Sequence, residues 1–294
     1  MGLRLCWKKN LRRDGRAVSP AISTVIITCS IIVMVLVAMV YAQSYLNTQM
    51  AQNEFTTNKQ FMLTTGLQID DIAWTIGRTQ TVRYSCRYSQ VEFEPQTLTY
   101  SIDVIYLNGT QETVNDSLQT GVLLYDMPTS SFTLGNNYFE PVYPAQISFL
   151  QQGPSAPVSQ VYVMEKLPMK NGNYTRVVIA PSIRMINSTI GGQTYVKYFL
   201  PLLVGGANPE LSQSVTLIGT SVMQYIRSDV AQVSFKVSFP KANVGFDSSF
   251  FPIGTNLQFG SYQQTVPTPP STLPPNSVVE FYVGVVTVSI GEYV

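Results

Sequence analysis

Histidine is absent from all 294 residues, and with it the usual general base, the Ser-His-Asp arrangement and the commonest metal ligand. No G-x-S-x-G, P-loop or paired CxxC occurs. Asp70 and Asp71 are adjacent carboxylates, but neighbours on a helix point about 100 degrees apart and do not share a site. Cys6, Cys29 and Cys86 are the only cysteines, and Cys86 alone follows the apolar run, so the later chain has no internal disulfide; it is expected as a small buried apolar residue. No metal or cofactor is implied and no enzyme is expected. The chemistry this sequence does invite is done to the chain. Asn108, Asn115, Asn173 and Asn187 each open an N-x-S/T sequon, the acceptor for N-linked sugar in an exported protein. The sharp boundary Gly15-Arg16-Ala17, between a basic leader and an apolar run, is a processing site.

The element that positions that boundary is a long uncharged stretch. Nothing from Ala17 to Asn53 carries a charge, and Ala21 to Ala42 meets the roughly 20 residues that a helix needs to span a hydrocarbon core. Arg4, Lys8, Lys9, Arg12, Arg13 and Arg16 precede it, and the next basic residue is Lys59. Basic flanks stay cytoplasmic, so the chain after about residue 43 is expected outside the cell. A secretory signal cut after Ala42 would suit the small residue there, but the apolar run exceeds the roughly 7–15 residues of a removable core. A permanent signal anchor needs only the hydropathy. Lipidation at Cys29 fits less well, because Thr28 precedes it and the apolar run continues beyond it.

Arg12-Arg13-Asp14-Gly15-Arg16 followed by Ala17-Val18-Ser19-Pro20-Ala21-Ile22 resembles the class III leader of archaeal type IV pilins and their archaellin relatives. The resemblance covers roughly the first fifty residues. It implies removal of leader 1–16 by a membrane-embedded prepilin peptidase on either side of Arg16, with the apolar helix left in place. It also implies identical or related pilin subunits as partners, together with an assembly ATPase and its membrane platform. Val18, Pro20, Ile22, Val25, Ile26, Ile31, Val33, Leu36 and Val40 would then serve first in the lipid membrane and afterwards in a filament core. A helix apolar on all sides can exchange lipid for like helices without exposing apolar surface to water. Small Ala17, Ser19, Ala21, Ser23 and Ser30 permit close helix approach, and Pro20 falls in the first turn, where its missing N–H costs no bond. The remaining length is large for a major pilin and points to a minor subunit, a tip adhesin or a pilin-like surface protein.

Beyond the membrane the helix is expected to continue. Phe55, Met62, Ile69 and Ile76 recur every seven residues, with Ile72 three after Ile69, while Gln52, Glu54, Asn58, Lys59 and Asp70 are assigned to other faces. A helix over 17–76 would reach on the order of 85 Å, weakened at Gly66 by about 1 kcal/mol and stopped at Gly77.

From 77 to 294 the pattern becomes one of strands. Leu98, Tyr100, Ile102, Val104 and Tyr106 alternate with polar residues, as do Ala231, Val233, Phe235, Val237 and Phe239. Further strands are expected at Gly121 to Met127, Gln160 to Lys166, Asn173 to Ala180, Thr194 to Val204, Val215 to Ile226 and Val278 to Ile290. The last is apolar on both faces and so belongs centrally or under the helix. Asn108-Gly109, Asn171-Gly172, Gly191-Gly192 and Gly205-Gly206 mark turns. The proline-rich run 265–276 is read as extended loop. The fold class is therefore α+β, a long N-terminal helix followed by a mainly antiparallel sandwich-like head, of one domain or of two divided near 151–157.

Net charge is only +1, which disfavours nucleic-acid binding. Arg78, Arg83 and Arg87, interleaved with Tyr84 and Tyr88, are expected to pair with Asp70, Asp71, Glu92 and Glu94 rather than to form a ligand surface. The function expected is that of an exported surface structural protein, a pilin-like subunit anchored or polymerised through its N-terminal helix, with adhesion a further role of the head; the alternative is a signal-anchored β-domain acting as a binding module or envelope component.

Overall fold

The computed structural model describes residues 20–169, 171–207, 213–251, 261–266, 273–274 and 277–291. Leader residues 1–16, with Gly15 and Arg16, and Ala17 and Val18 lie outside the described residues. The chain forms two compact units, Met1–Met50 and Ala51–Val294.

One α-helix, α1, runs Pro20–Ala73. Its second half, from Ala51, belongs to the β-rich unit, so the head begins well before the 76/77 boundary read from the sequence. Phe55, Met62, Ile69 and Ile72 are buried, as the seven-residue spacing requires. Asn58, expected on another face, is 1% exposed: it lies three residues from Phe55 and four from Met62, on the same stripe. Its Nδ2 donates to the Ser85 carbonyl at 2.9 Å, which offsets the cost of burying an amide. Ile76 is 66% exposed because the helix has ended before it. Gly77, at φ +82°, reverses the chain and donates its N–H to the Gly219 carbonyl at 2.7 Å.

Among the described residues thirteen strands follow: β1 (Thr79–Arg83), β2 (Gln90–Tyr106), β3 (Gln111–Pro128), β4 (Tyr138–Tyr143), β5 (Leu150–Gln152), β6 (Ser159–Glu165), β7 (Tyr174–Pro181), β8 (Ile183–Ile190), β9 (Gln193–Gly205), β10 (Ser214–Ser228), β11 (Val230–Ser238), β12 (Ser261–Val266) and β13 (Val278–Gly291). They form a six-stranded sheet ordered β1-β10-β13-β9-β8-β5 and a seven-stranded sheet ordered β12-β11-β2-β3-β7-β6-β4. Pairing is mainly antiparallel, as expected, except that β13 pairs with β9 and β5 with β8 in parallel. The C-terminal strand β13 is inserted between β10 and β9, the central position its two-faced apolarity calls for. Thr265 and Val266 close β12 rather than opening a loop; most of the proline-rich run lies outside the described residues.

Two hydrophobic clusters hold the head. The first joins the two sheets, with Tyr100, Leu124, Tyr162, Tyr198, Phe235 and Phe281 among its members. The second packs the 51–73 stripe of α1 against residues of both sheets, among them Leu123, Val161, Ile179, Leu217 and Val286. Long strands serve both: β13 gives Phe281 and Val283 to the first and Val286 and Val288 to the second. Gly66 does not end the helix. It lets β6 approach, since a Cβ there would lie 2.6 Å from a Val161 methyl, and its carbonyl accepts the Ser159 hydroxyl at 2.7 Å.

The end of α1 is the tightest seam. A Cβ on Gly284 would stand 2.3 Å from the Ala73 carbonyl oxygen, and one on Gly219 would stand 2.5 Å from that of Ile72. Gly284→Ala should therefore overpack the seam at about 1–3 kcal/mol, lowering the melting temperature by about 2–4 °C per kcal/mol. Gly205→Ala, whose Cβ would meet Phe93 at an ordinary 3.5 Å, should stay within about 0.5 kcal/mol of wild type. Thermal unfolding of the two variants side by side checks this.

Candidate functional site

The first candidate surface is α1 before Ala51. Ile22, Val25, Ile26, Ile31, Val33, Leu36 and Val40 are each more than half exposed, and Pro20 opens the helix. The segment holds one candidate membrane span, with a mean hydropathy of 2.8 over its most apolar window. Two of its hydroxyls turn back onto the helix: Thr28 Oγ1 donates to the Thr24 carbonyl at 2.8 Å and Ser30 Oγ to the Ile26 carbonyl at 2.9 Å. Polar atoms satisfied within the helix need no water, so the segment is chemically ready for an apolar surrounding.

From Ala51 onward the helix is locked to the head by polar contacts at its margins. The Glu54 carboxylate accepts from the backbone N–H of Arg87 and Tyr88 at 3.1–3.2 Å and from the Ser89 hydroxyl. Lys59 pairs with Glu140 at 2.7 Å. Asp70 pairs with Arg184 at 2.8 Å and accepts from the Trp74 indole at 2.8 Å, whereas Asp71 pairs with Arg78 at 3.2 Å. The two adjacent carboxylates thus have separate partners. Of the ion pairs expected for the arginine-tyrosine group, Arg78 with Asp71 is present; Glu94 instead pairs with Lys241, and Arg87 lies over the Tyr88 ring at 5.3 Å. Cys86 is partly buried beside Asn58 rather than fully buried, and burial pushes its thiol up to about 11, so it stays protonated at neutral pH.

Two features escaped sequence reading. Arg176 and Asp126 form an ion pair at 3.0 Å with both side chains 1% exposed. Burial pushes the Asp126 carboxyl up to about 6, against the pull of the guanidinium. Glu165, 1% exposed, has no cationic partner among the described residues but accepts from the Thr133 hydroxyl at 2.6 Å, the Leu134 N–H at 2.7 Å and the Thr175 hydroxyl at 2.6 Å. Burial would raise this carboxyl; the hydrogen bonds to its charged form outweigh that and hold it below the ordinary value. Neither residue has a partner within a few positions in sequence, so neither pair was legible there.

The sequons differ in what they present. Asn108 is exposed in the β2–β3 turn, and its Oδ1 accepts from the Thr110 N–H at 2.9 Å and the Thr110 hydroxyl at 2.6 Å. Asn187 is exposed on β8, and Asn115 is partly buried on β3. Asn173 is exposed, but the third residue of its sequon, Thr175, is fully buried, with its hydroxyl committed to Glu165.

Among the described residues, no group of three His, Cys, Asp or Glu is arranged to hold a metal. An open cleft of about 480 Å³ lies between β2 and the 205–206 turn, with Glu92 the one ionisable side chain among the described residues that line it. A second, of about 350 Å³, holds Glu165 and Lys166 beside Tyr138. Comparison with protein-family models, with curated proteins and with solved structures found no match.

Two outcomes follow from this geometry. If sugar is added to the folded head, glycopeptide mass spectrometry should find it at Asn108 and Asn187 and not at Asn173. Because the folded-state pKa of Glu165 is depressed, its stabilisation is complete above the ordinary carboxylate value of about 4.3 and is lost as pH falls through and below it. The melting temperature of Glu165→Gln should then lie below wild type at pH 7, with the gap narrowing toward pH 3.

Proposed function

We propose that this chain is an exported surface structural subunit of the archaeal type IV pilin kind, held in the membrane and then in a filament through the apolar half of α1. The carrying observation is the exposure of the large apolar side chains of that segment, from Ile22 to Met50, on a helix whose later half is committed to the head. Burying an apolar side chain of this size contributes about 1.5–3 kcal/mol, so so many exposed side chains require lipid or like helices around them.

In this reading a prepilin peptidase removes the basic leader at Gly15-Arg16-Ala17. The subunit waits as a single-pass protein with its N-terminus cytoplasmic, and an assembly ATPase with its membrane platform drives exchange of lipid for identical or related subunits. Identical hydrophobic surroundings make that exchange nearly neutral in solvation, so close packing decides it. The head, bearing sequons on exposed turns and edges, faces the medium and would adhere through uncharged polar surface.

Cells producing the full chain should contain two pools: a membrane pool released only by detergent, and a pool sheared from the surface as filaments that bind antibody to the head. Protein confined to the membrane pool would instead support a lone anchored binding module.

A further inference from the structure

The sequon Asn187-Ser188-Thr189 lies on β8, where the six-stranded sheet runs out. β5 covers β8 only along Ile183 to Met185, and among the described residues no strand flanks Ile186–Ile190 on that side. Backbone N–H and C=O groups point to one side at one strand residue and to the other side at the next. The Ile183 N–H donates to the Phe149 carbonyl at 2.8 Å, and the Met185 carbonyl accepts from the Gly153 N–H at 2.9 Å. The odd-numbered residues of β8 therefore turn their backbone groups outward. Past β5 these are Asn187 and Thr189, whereas Ile186 and Ser188 turn theirs to Lys197 and Tyr195 of β9. The first and third residues of the sequon thus hold the open rungs of the ladder.

An open edge accepts stray strands unless shortness, charge, proline or a bulge guards it. Such guards stand elsewhere on the head. β4, at the end of the seven-stranded sheet, carries Glu140 and Pro141, and β5 is three residues long. β10 beyond β1 has a register shift between Gly219 and Ser221 and carries Arg227. Ile186–Ile190 has neither charge nor proline, and its register with β9 runs without a shift. Its isoleucines and threonine favour strand pairing, and Ile190 is 68% exposed. Asn187 and Thr189 are both exposed, unlike Thr175, whose hydroxyl is committed to Glu165.

We infer that N-linked sugar on Asn187 is the guard of this edge, blocking strand addition at the open rungs of β8. The saccharide comes from a lipid-phosphate-linked oligosaccharide through a membrane transferase. Asn187 Nδ2 bonds to the anomeric carbon, the bond from that carbon to the phosphate oxygen breaks, and the lipid phosphate leaves with the electron pair while the amide proton passes to a base. An incoming strand must lie about 4.8 Å from β8, and a branched saccharide rooted at Asn187 occupies that approach. The sugar on Asn108, in the β2–β3 turn, has no such task, because its site is a turn rather than an open rung. The inference rests on the exported part of the proposed function, since sequons are used on exported chains; it makes no use of the filament.

The test takes the full chain from native membranes into detergent and compares wild type with Asn187→Gln, Thr189→Val, Asn187→Lys and Asn108→Gln. Glycopeptide mass spectrometry reads the sugar, sedimentation reads self-association, and hydrogen exchange reads the backbone amides of Asn187 and Thr189. The expected result is sugar at Asn187, and a several-fold rise in the associated fraction for Asn187→Gln and Thr189→Val, with those amides newly protected. Asn187→Lys, which puts a charge where the sugar stood, should return association to the wild-type level, and Asn108→Gln should not raise it. A bare Asn187 would overturn the guard, as would an Asn187→Gln chain that associates no more than Asn108→Gln. Association of Asn187→Lys as strong as that of Asn187→Gln would also overturn it, by tracing the effect to a folding defect. Filaments are scored separately from the sheared pool, so each of these results leaves the filament reading standing, and absence of that pool leaves the guard standing.

Discussion

The apolar stripe of α1 between Ala51 and Ala73 is the contact on which the head depends. Met62, Ile69 and Ile72 are fully buried against residues of both sheets, so this helix segment completes a core that the strands share but do not fill. The glycines at the seam, Gly66, Gly219 and Gly284, exist because backbone must approach backbone or strand there. The polar clasps at Glu54, Asn58 and Asp70 fix the segment at its margins, where burial alone would not set its register.

The same helix carries an opposite requirement before Ala51. There, from Ile22 to Ala42, the side chains are predominantly apolar and mostly exposed, and the Thr28 and Ser30 hydroxyls donate to carbonyls of the helix itself. A single element thus has one half suited to a folded core and one half suited to lipid or like helices. That division is the observation on which the proposed surface-subunit role rests.

Much of this was legible in the sequence, for definite physical reasons. The charge-free run announced the span, the seven-residue spacing of Phe55, Met62 and Ile69 announced the stripe, period-two alternation announced β2 and β11, and the further expected strands fall on β3, β6, β7, β9, β10 and the two-faced apolar β13. Short or polar strands were not legible: β8, IRMINSTI, has no clean alternation, and β4 carries Pro141. Nor was β2 readable back to Gln90, because its pairing shifts between Glu94 and Leu98, where Gln96 has φ +55°. The parallel pairing of β13 with β9, the Arg176–Asp126 pair and the commitment of Thr175 to Glu165 are long-range facts that local spacing does not encode. Ile76 shows the limit from the other side, since it keeps the seven-residue period yet falls after the helix has turned.

In the proposed role the basic leader is removed while the apolar helix stays on the mature chain. The most direct measurement is the N-terminal residue of the protein taken from native membranes, read by mass spectrometry. A mature chain beginning at Arg16 or Ala17 is the expected result. One beginning at Met1 or Gly2, or cut after Ala42 to begin at Gln43, would contradict it.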